Sequence, residues 1–419
     1  MIGWIDFSSE HRQKVRTVID LLKKPGVVDE LGIGVIRDAF ADRMFPGIST
    51  IQTRAKYFTL LAAIVEDYVR RNEQRPMKET LEEYLRYWEQ DFRINIARRY
   101  GDEGDGLGVI GISFGESRKK DVERRASSVY WNGLRTFGLI GSPLSLAEFS
   151  RVHCGRPKLQ SLLQATGRNK GDDPDADDLG RPRIRAPKVD EDYWENPDIE
   201  LTQDEATFLK QQIISNAKGS LLTKVLLDEN ATNQLIELRS QTLFADFSEL
   251  PFLQQPEFAE LATVARHANW FWMILHGAHI RYNVLIDSLR ADDGAAYVEQ
   301  WEDWRVRMEE FDWGQWNSRL LWDIVEQYGG RVKNATREFV NDWIAQAQAG
   351  ATDIEECDRL IARQEVNNKQ RKARLRRNPR DEQVEGWIGL SRLDYRLPQV
   401  QRIVQDIRDG ETGGARPDA

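Results

Sequence analysis

Cysteine is almost absent from this chain of 419 residues, and Cys154 and Cys357 are the only two. They lie far apart in the sequence, so they provide neither a disulfide framework nor a quartet of zinc ligands. Both are expected to be reduced thiols.

Long apolar runs are missing as well, since no stretch approaches the roughly 18 apolar residues that a membrane helix needs. The first residues, Met1 to Asp6, lack the basic flank and apolar stretch of a secretory signal. We therefore expect a cytoplasmic protein with no membrane contact. Apolar residues make up 40% and charged residues 30%, a composition typical of a soluble globular chain rather than a disordered one.

Alternating runs of Val, Ile and Thr, which would indicate strands, are scarce. Apolar residues instead recur every three or four positions, which predicts a mostly α, multi-helix fold. From Gly167 to Asp198 the chain is rich in Asp, Pro, Gly, Lys and Arg, a composition that does not bury enough surface to fold alone. We therefore predict two helical domains, 1–165 and 199–410, joined by an acidic and basic polar linker, 166–198, with a disordered tail, 411–419.

A small winged-helix-like element is possible between Ser127 and Gly155. Its apolar face would consist of Trp131, Leu134, Phe137, Leu139 and Ile140, and its second helix would span 144–149. Polar side chains suited to a recognition helix are few there, so ordinary helical packing is favoured and the winged-helix interpretation stays open.

Catalytic motifs are also lacking, because the chain contains no Gly-x-Ser-x-Gly elbow, no His-Glu-x-x-His and no kinase set. Gly104, Gly106 and Gly108 follow or flank Asp102, Glu103 and Asp105, which would repel phosphate. His276 and His279 would share a helix face, but no acid lies between 267 and 287, so packing is favoured over metal binding. We predict no catalytic residue, no metal ligand and no cofactor.

Positive charge offers a more specific signal near the C-terminus. From Lys369 to Arg380 the chain has seven basic residues and no acid, at the end of a predicted helix over 352–377. Such a helix can lie along a phosphate backbone, although cations are also favoured at any helix C-terminus. The predicted nucleic-acid-binding residues are Lys369, Arg371, Lys372, Arg374, Arg376 and Arg377. A second basic run comprises Arg118, Lys119, Lys120, Arg124 and Arg125.

The N-terminal sequence resembles an uncharacterised bacterial family of about this length. The resemblance lies in Trp-Ile-Asp-Phe-Ser at 4–8, Val-Asp-Glu-Leu-Gly-Ile-Gly at 28–34, Ile-Arg-Asp-Ala-Phe at 36–40 and Phe-Pro-Gly-Ile-Ser-Thr-Ile-Gln-Thr-Arg-Ala-Lys-Tyr-Phe at 45–58. It continues through 128–140, 144–149 and 392–400. The resemblance implies an antiviral defence context, with helicases, phospholipase-D-type nucleases or DNA methyltransferases as neighbouring gene products and partners.

Three functions follow from these observations. The leading hypothesis is a non-catalytic scaffold or adaptor subunit of an antiviral system, which binds other defence proteins and contacts nucleic acid. The alternative is a DNA-binding module that acts in its own right through the basic segment. The third and weakest is a divergent metal-dependent nuclease.

Overall fold

The computed structural model describes residues 29–101, 106–154, 182–188, 191–195, 197–239, 243–290, 295–376 and 386–413. Over these residues it contains fifteen α-helices and one pair of two-residue strands, which confirms the predicted mostly α fold. The first resembling segment, 4–8, lies outside the described residues.

The helices and strands follow one another in a long series. In chain order they are α1 (Gly34–Met44), α2 (Lys56–Gln74), α3 (Leu81–Tyr100), α4 (Ala126–Thr136), β1 (Ile140–Gly141), α5 (Leu146–His153), β2 (Arg183–Ile184), α6 (Gln203–Asn216), α7 (Leu221–Leu227), α8 (Glu229–Ile236), α9 (Phe244–Ser248), α10 (Ala259–Arg290), α11 (Ala295–Glu310), α12 (Ser318–Tyr328), α13 (Asn334–Gln348), α14 (Ile354–Lys369) and α15 (Leu397–Thr412).

Several helices begin at side chains whose chemistry favours a helix start. Thr80, Ser145 and Thr202 each accept a hydrogen bond from the backbone N–H three residues later, and the glutamate at that position bonds back to the cap. Each such capping box satisfies two N–H groups that a helix start otherwise leaves unpaired.

The described residues form two compact units. The first takes those within 1–44 and 242–395, and the second takes those within 45–241 and 396–419. These ranges differ from the predicted domains 1–165 and 199–410, because each unit combines segments that are distant in sequence. Part of the predicted linker lies outside the described residues, as does 414–419, whereas residues 411 and 412 of the predicted tail belong to α15.

In the first unit, α10 packs against α1, α11, α13 and α14. Three indoles, those of Trp301, Trp304 and Trp343, form an aromatic cluster in this unit, with ring centroids 5.0 to 6.2 Å apart. Trp304 lies directly on α10 at Gly277, where an added Cβ would stand 2.2 Å from the indole. A side chain at 277 would therefore force the indole or the helix to shift.

In the second unit, α2 packs against α3 and α4, and α6 packs against α15. A buried ion pair joins α2 to α6, since Lys56 Nζ lies 2.7 Å from Glu205 Oε2 and both side chains are only 2% exposed. The Thr59 and Tyr193 hydroxyls also donate to Glu205, which compensates for the burial of its charge.

The predicted winged-helix-like element, 127–155, covers α4, β1 and α5, and its second helix spans Leu146–His153 instead of 144–149. The apolar face of Trp131, Leu134, Phe137, Leu139 and Ile140 is buried, and β1 pairs antiparallel with β2. Residues 155–181 lie outside the described residues, so the winged-helix interpretation stays a prediction.

Within the described ranges, every helix is too short or too polar to cross a membrane.

Candidate nucleic-acid interface

The predicted basic residues lie at and beyond the C-terminus of α14. The helix ends at Lys369 instead of continuing to Arg377, which corrects the predicted range of 352–377. Gln370 has a φ of 54°, a left-handed conformation that interrupts the helix, and 370–372 form one 3-10 turn. We call residues 369–376 the basic turn. Arg377 lies outside the described residues.

Glu365 fixes the second half of the basic turn. Its side chain is fully buried, at 0% exposure. The Glu365 carboxylate accepts hydrogen bonds from the backbone N–H of Arg374 (2.7 Å) and of Leu375 (3.0 Å). It also accepts one from the Tyr282 hydroxyl of α10 (2.7 Å). Hydrogen bonds to an ionised carboxylate are stronger than neutral ones, so this single side chain sets the direction of the chain after α14.

A second buried acid, Glu30, lies beneath the start of the turn and is 2% exposed. Lys369 Nζ lies 3.3 Å and Arg374 Nε 3.6 Å from its carboxylate oxygens. Burial raises the pKa of the Glu30 carboxyl, and the two cations oppose that rise. Glu30 therefore pairs with the first residue of the turn, Lys369, and with Arg374 in its second half.

The backbone around Glu30 is attached to α14 as well. The Asn368 side chain donates to the carbonyl oxygens of Asp29 (2.8 Å) and Glu30 (3.0 Å). The Asp29 carboxylate in turn accepts from the N–H groups of Ile33 and Gly34, where α1 begins. Residues 29–34 of the resembling segment thus support the basic turn.

This arrangement separates the six predicted residues into three groups. Lys369 and Arg374 pair with Glu30, Arg377 lies outside the described residues, and Arg371, Lys372 and Arg376 are exposed. Three cations on a fixed turn suit a ligand that carries regularly spaced negative charges, because little conformational entropy is lost on binding.

The cations of the basic turn form a recognisable run in the sequence, whereas the acids that order them do not stand out. Glu30 and Glu365 are two of 68 acidic residues, and they meet only after folding. The one available signal was that Glu30 falls inside a resembling segment.

The histidines of α10 are packed among aromatic rings. His279 is fully buried, and its ring centroid lies 5.7 Å from that of Trp272. Burial lowers the pKa of His279 to about 3 and that of His276 to about 4. Over the part of the chain that the structure describes, no three His, Cys, Asp or Glu side chains are grouped so as to hold a metal ion.

Comparison with known proteins gives one match. The model of a family described as "Family of unknown function (DUF6361)" matches residues 1–411. No curated protein matches the chain, and no solved structure matches it.

Proposed function

We propose, on the premise that the chain belongs to this family of unknown function, that the protein is a non-catalytic subunit of a bacterial antiviral defence system. In this proposal it acts as a scaffold or adaptor for other defence proteins and contacts nucleic acid through the basic turn.

One observation supports the nucleic-acid contact above all. Two buried carboxylates, Glu30 and Glu365, fix the path of the basic turn while Arg371, Lys372 and Arg376 stay exposed. A solvated helix end needs no such support. Ordering the chain before binding lowers the entropic cost of association, which is the property expected of a binding surface.

Charge replacement tests this contact. The variant Arg371→Gln/Lys372→Gln/Arg376→Gln removes the three exposed cations. If each neutralises one phosphate of duplex DNA, the loss of three contacts weakens binding about 100-fold at ~0.15 M salt. The measurement is fluorescence anisotropy with a labelled duplex of about 20 base pairs.

A matched control removes the same charge elsewhere in the first unit. Arg319, Arg331 and Lys333 are exposed, and their replacement by Gln changes the net charge equally. We expect the control to bind the duplex within a factor of about three of the unchanged protein. Equal weakening by both variants would show that net charge, and not the basic turn, governs binding.

The scaffold role has a separate test. The protein is co-expressed with the products of its flanking genes and purified through a tag on one partner. Co-elution in a fixed ratio at micromolar concentration is expected, with helicases, phospholipase-D-type nucleases or methyltransferases as the proposed partners. If the protein elutes separately from every co-expressed neighbour, the scaffold role is contradicted. If it then still binds the duplex, it is a DNA-binding module in its own right.

A further inference from the structure

The second basic run, 118–125, lies in the second unit beside an exposed aromatic side chain. Tyr87 on α3 is 52% exposed, and the Arg118 guanidinium lies 5.4 Å from the centre of its ring. Trp88 contacts the same ring at its edge, with the centroids 5.4 Å apart. We call Tyr87 and Arg118 the tyrosine platform.

Buried and half-buried contacts fix the segment that contains Arg118. Arg93 is buried and donates to the carbonyl oxygens of Gly115 and of Ser117, the latter at 2.8 Å. Asp91 pairs with Arg118 itself. Arg93 therefore holds the backbone just before Arg118, and Asp91 holds the Arg118 side chain.

The following residues are fixed by a second acid. Asp121 lies 3.0 Å from the Arg86 guanidinium and 3.1 Å from that of Arg125. Between these anchors Lys119, Lys120 and Arg124 are exposed, and among the described residues none of the three forms an ion pair. The platform thus has a rim of three exposed cations that form no ion pair among the described residues.

The neighbouring cavity is too small to enclose a ligand. It is lined by Tyr57, Arg86, Glu89 and Gln90 among others, and its volume of about 20 Å³ is enough for about one water molecule. A ligand of the tyrosine platform must therefore lie along the open surface.

From these contacts we infer that the tyrosine platform binds single-stranded nucleic acid. An exposed aromatic ring and a planar guanidinium are surfaces on which unpaired bases stack, and the adjacent cations suit the backbone phosphates. Bases in a duplex are already stacked on one another, so the platform favours unpaired strands. This site lies in a different unit from the basic turn and uses different chemistry, so it does not depend on the proposed function.

The experiment measures anisotropy with a labelled strand of about fifteen thymidines and with the corresponding uridine strand. Tyr87→Ala removes the stacking ring and should weaken binding of both strands roughly tenfold, whereas Tyr87→Phe keeps the ring and should bind as the unchanged protein does. Neither substitution should alter the affinity for a duplex.

The rim is tested with Lys119→Gln/Lys120→Gln/Arg124→Gln. Its matched control in the same unit replaces the exposed Lys78, Lys218 and Arg239 by Gln. We expect the rim variant to lose affinity for the single strands and the control to keep it. Thermal unfolding of every variant verifies that the fold is retained.

Three results would overturn the inference. The first is an unchanged single-strand affinity in Tyr87→Ala and in the rim variant. The second is loss of that affinity only in the variant of the basic turn, which would leave the proposed function intact. The third is displacement of the strand by polyglutamate of equal charge as readily as by unlabelled strand, which would indicate an acidic protein surface as the ligand.

Discussion

Replacement of Glu365 by Gln provides the sharpest test of how the basic turn is ordered. The carboxylate accepts three hydrogen bonds, from Tyr282 and from the amides of Arg374 and Leu375. Glutamine has nearly the same shape, but its NH₂ group replaces one accepting oxygen and faces N–H donors. At least one bond to a charged acceptor is then lost.

The expected magnitude follows from that count. A hydrogen bond to a charged group contributes about 1.5–3 kcal/mol, and 2 kcal/mol corresponds to a factor of about 30. The amides of Arg374 and Leu375 should therefore exchange with deuterium about 30 times faster in Glu365→Gln. Hydrogen exchange read by mass spectrometry on peptides that cover 370–376 measures this directly.

A control and a second readout complete this prediction. Glu338→Gln makes the same chemical change at an exposed position of the first unit and should leave the exchange of 370–376 unaltered. Glu365→Gln should also weaken duplex binding, while the salt dependence stays the same because no exposed cation is removed. Unchanged exchange in Glu365→Gln would refute the role given to this carboxylate.

Three further predictions concern the two compact units. Gly277→Ala should lower the free energy of unfolding by about 1–3 kcal/mol, since the new methyl group would stand 2.2 Å from Trp304. Urea unfolding followed by tryptophan fluorescence measures this free energy. An unchanged unfolding midpoint would contradict the close contact between Gly277 and Trp304. Lys56→Met should lower the free energy of unfolding by about 3–5 kcal/mol because Glu205 stays buried without its partner. The same assay should show partial recovery when Glu205 is also replaced by Gln, which removes the buried charge but keeps an oxygen for the Thr59 and Tyr193 hydroxyls. His279→Leu should reduce the acid sensitivity of the protein. The pKa of His279 is lowered from 6.5 to about 3 in the folded state. The unfolded chain therefore gains a proton first, and stability falls as the pH drops from 6.5 towards 3. The free energy of unfolding is measured at about pH 7 and about pH 5, and an equal decrease in the variant and the unchanged protein would contradict this prediction.

Local features of the fold could be predicted from the sequence because their causes are local. Thr80 and Thr202 precede apolar stripes at helical spacing, and both cap the N-terminus of a helix. Proline and glycine mark several ends in the same way. These signals act within a few residues, so no tertiary contact is needed to interpret them.

The grouping of helices was harder to predict because an apolar stripe does not specify its partner. The helices α1 and α12 pack together although nearly 300 positions separate them, and the residues of the predicted linker gave no sign of this. The end of α14 was missed for a related reason. Helix propensity favours continuation through Arg371 and Lys372, but the buried carboxylate of Glu365 binds the following amides and redirects the chain.

The residues of the candidate site also divide into those that stand out in the sequence and those that do not. The cations of the basic turn form an obvious run in the sequence, whereas Glu30 and Glu365 resemble any other acids until the chain folds. Lys369 and Arg374 pair with Glu30 in the folded chain, and the run of cations by itself does not indicate that pairing.

The salt dependence of duplex binding tests the central claim most directly. The logarithm of the association constant falls linearly with the logarithm of the salt concentration, and each phosphate contact adds about 0.9 to the slope. Three contacts therefore predict a slope about 2.7 steeper in the unchanged protein than in Arg371→Gln/Lys372→Gln/Arg376→Gln. Equal slopes for the two proteins would contradict the claim that the basic turn binds nucleic-acid phosphates.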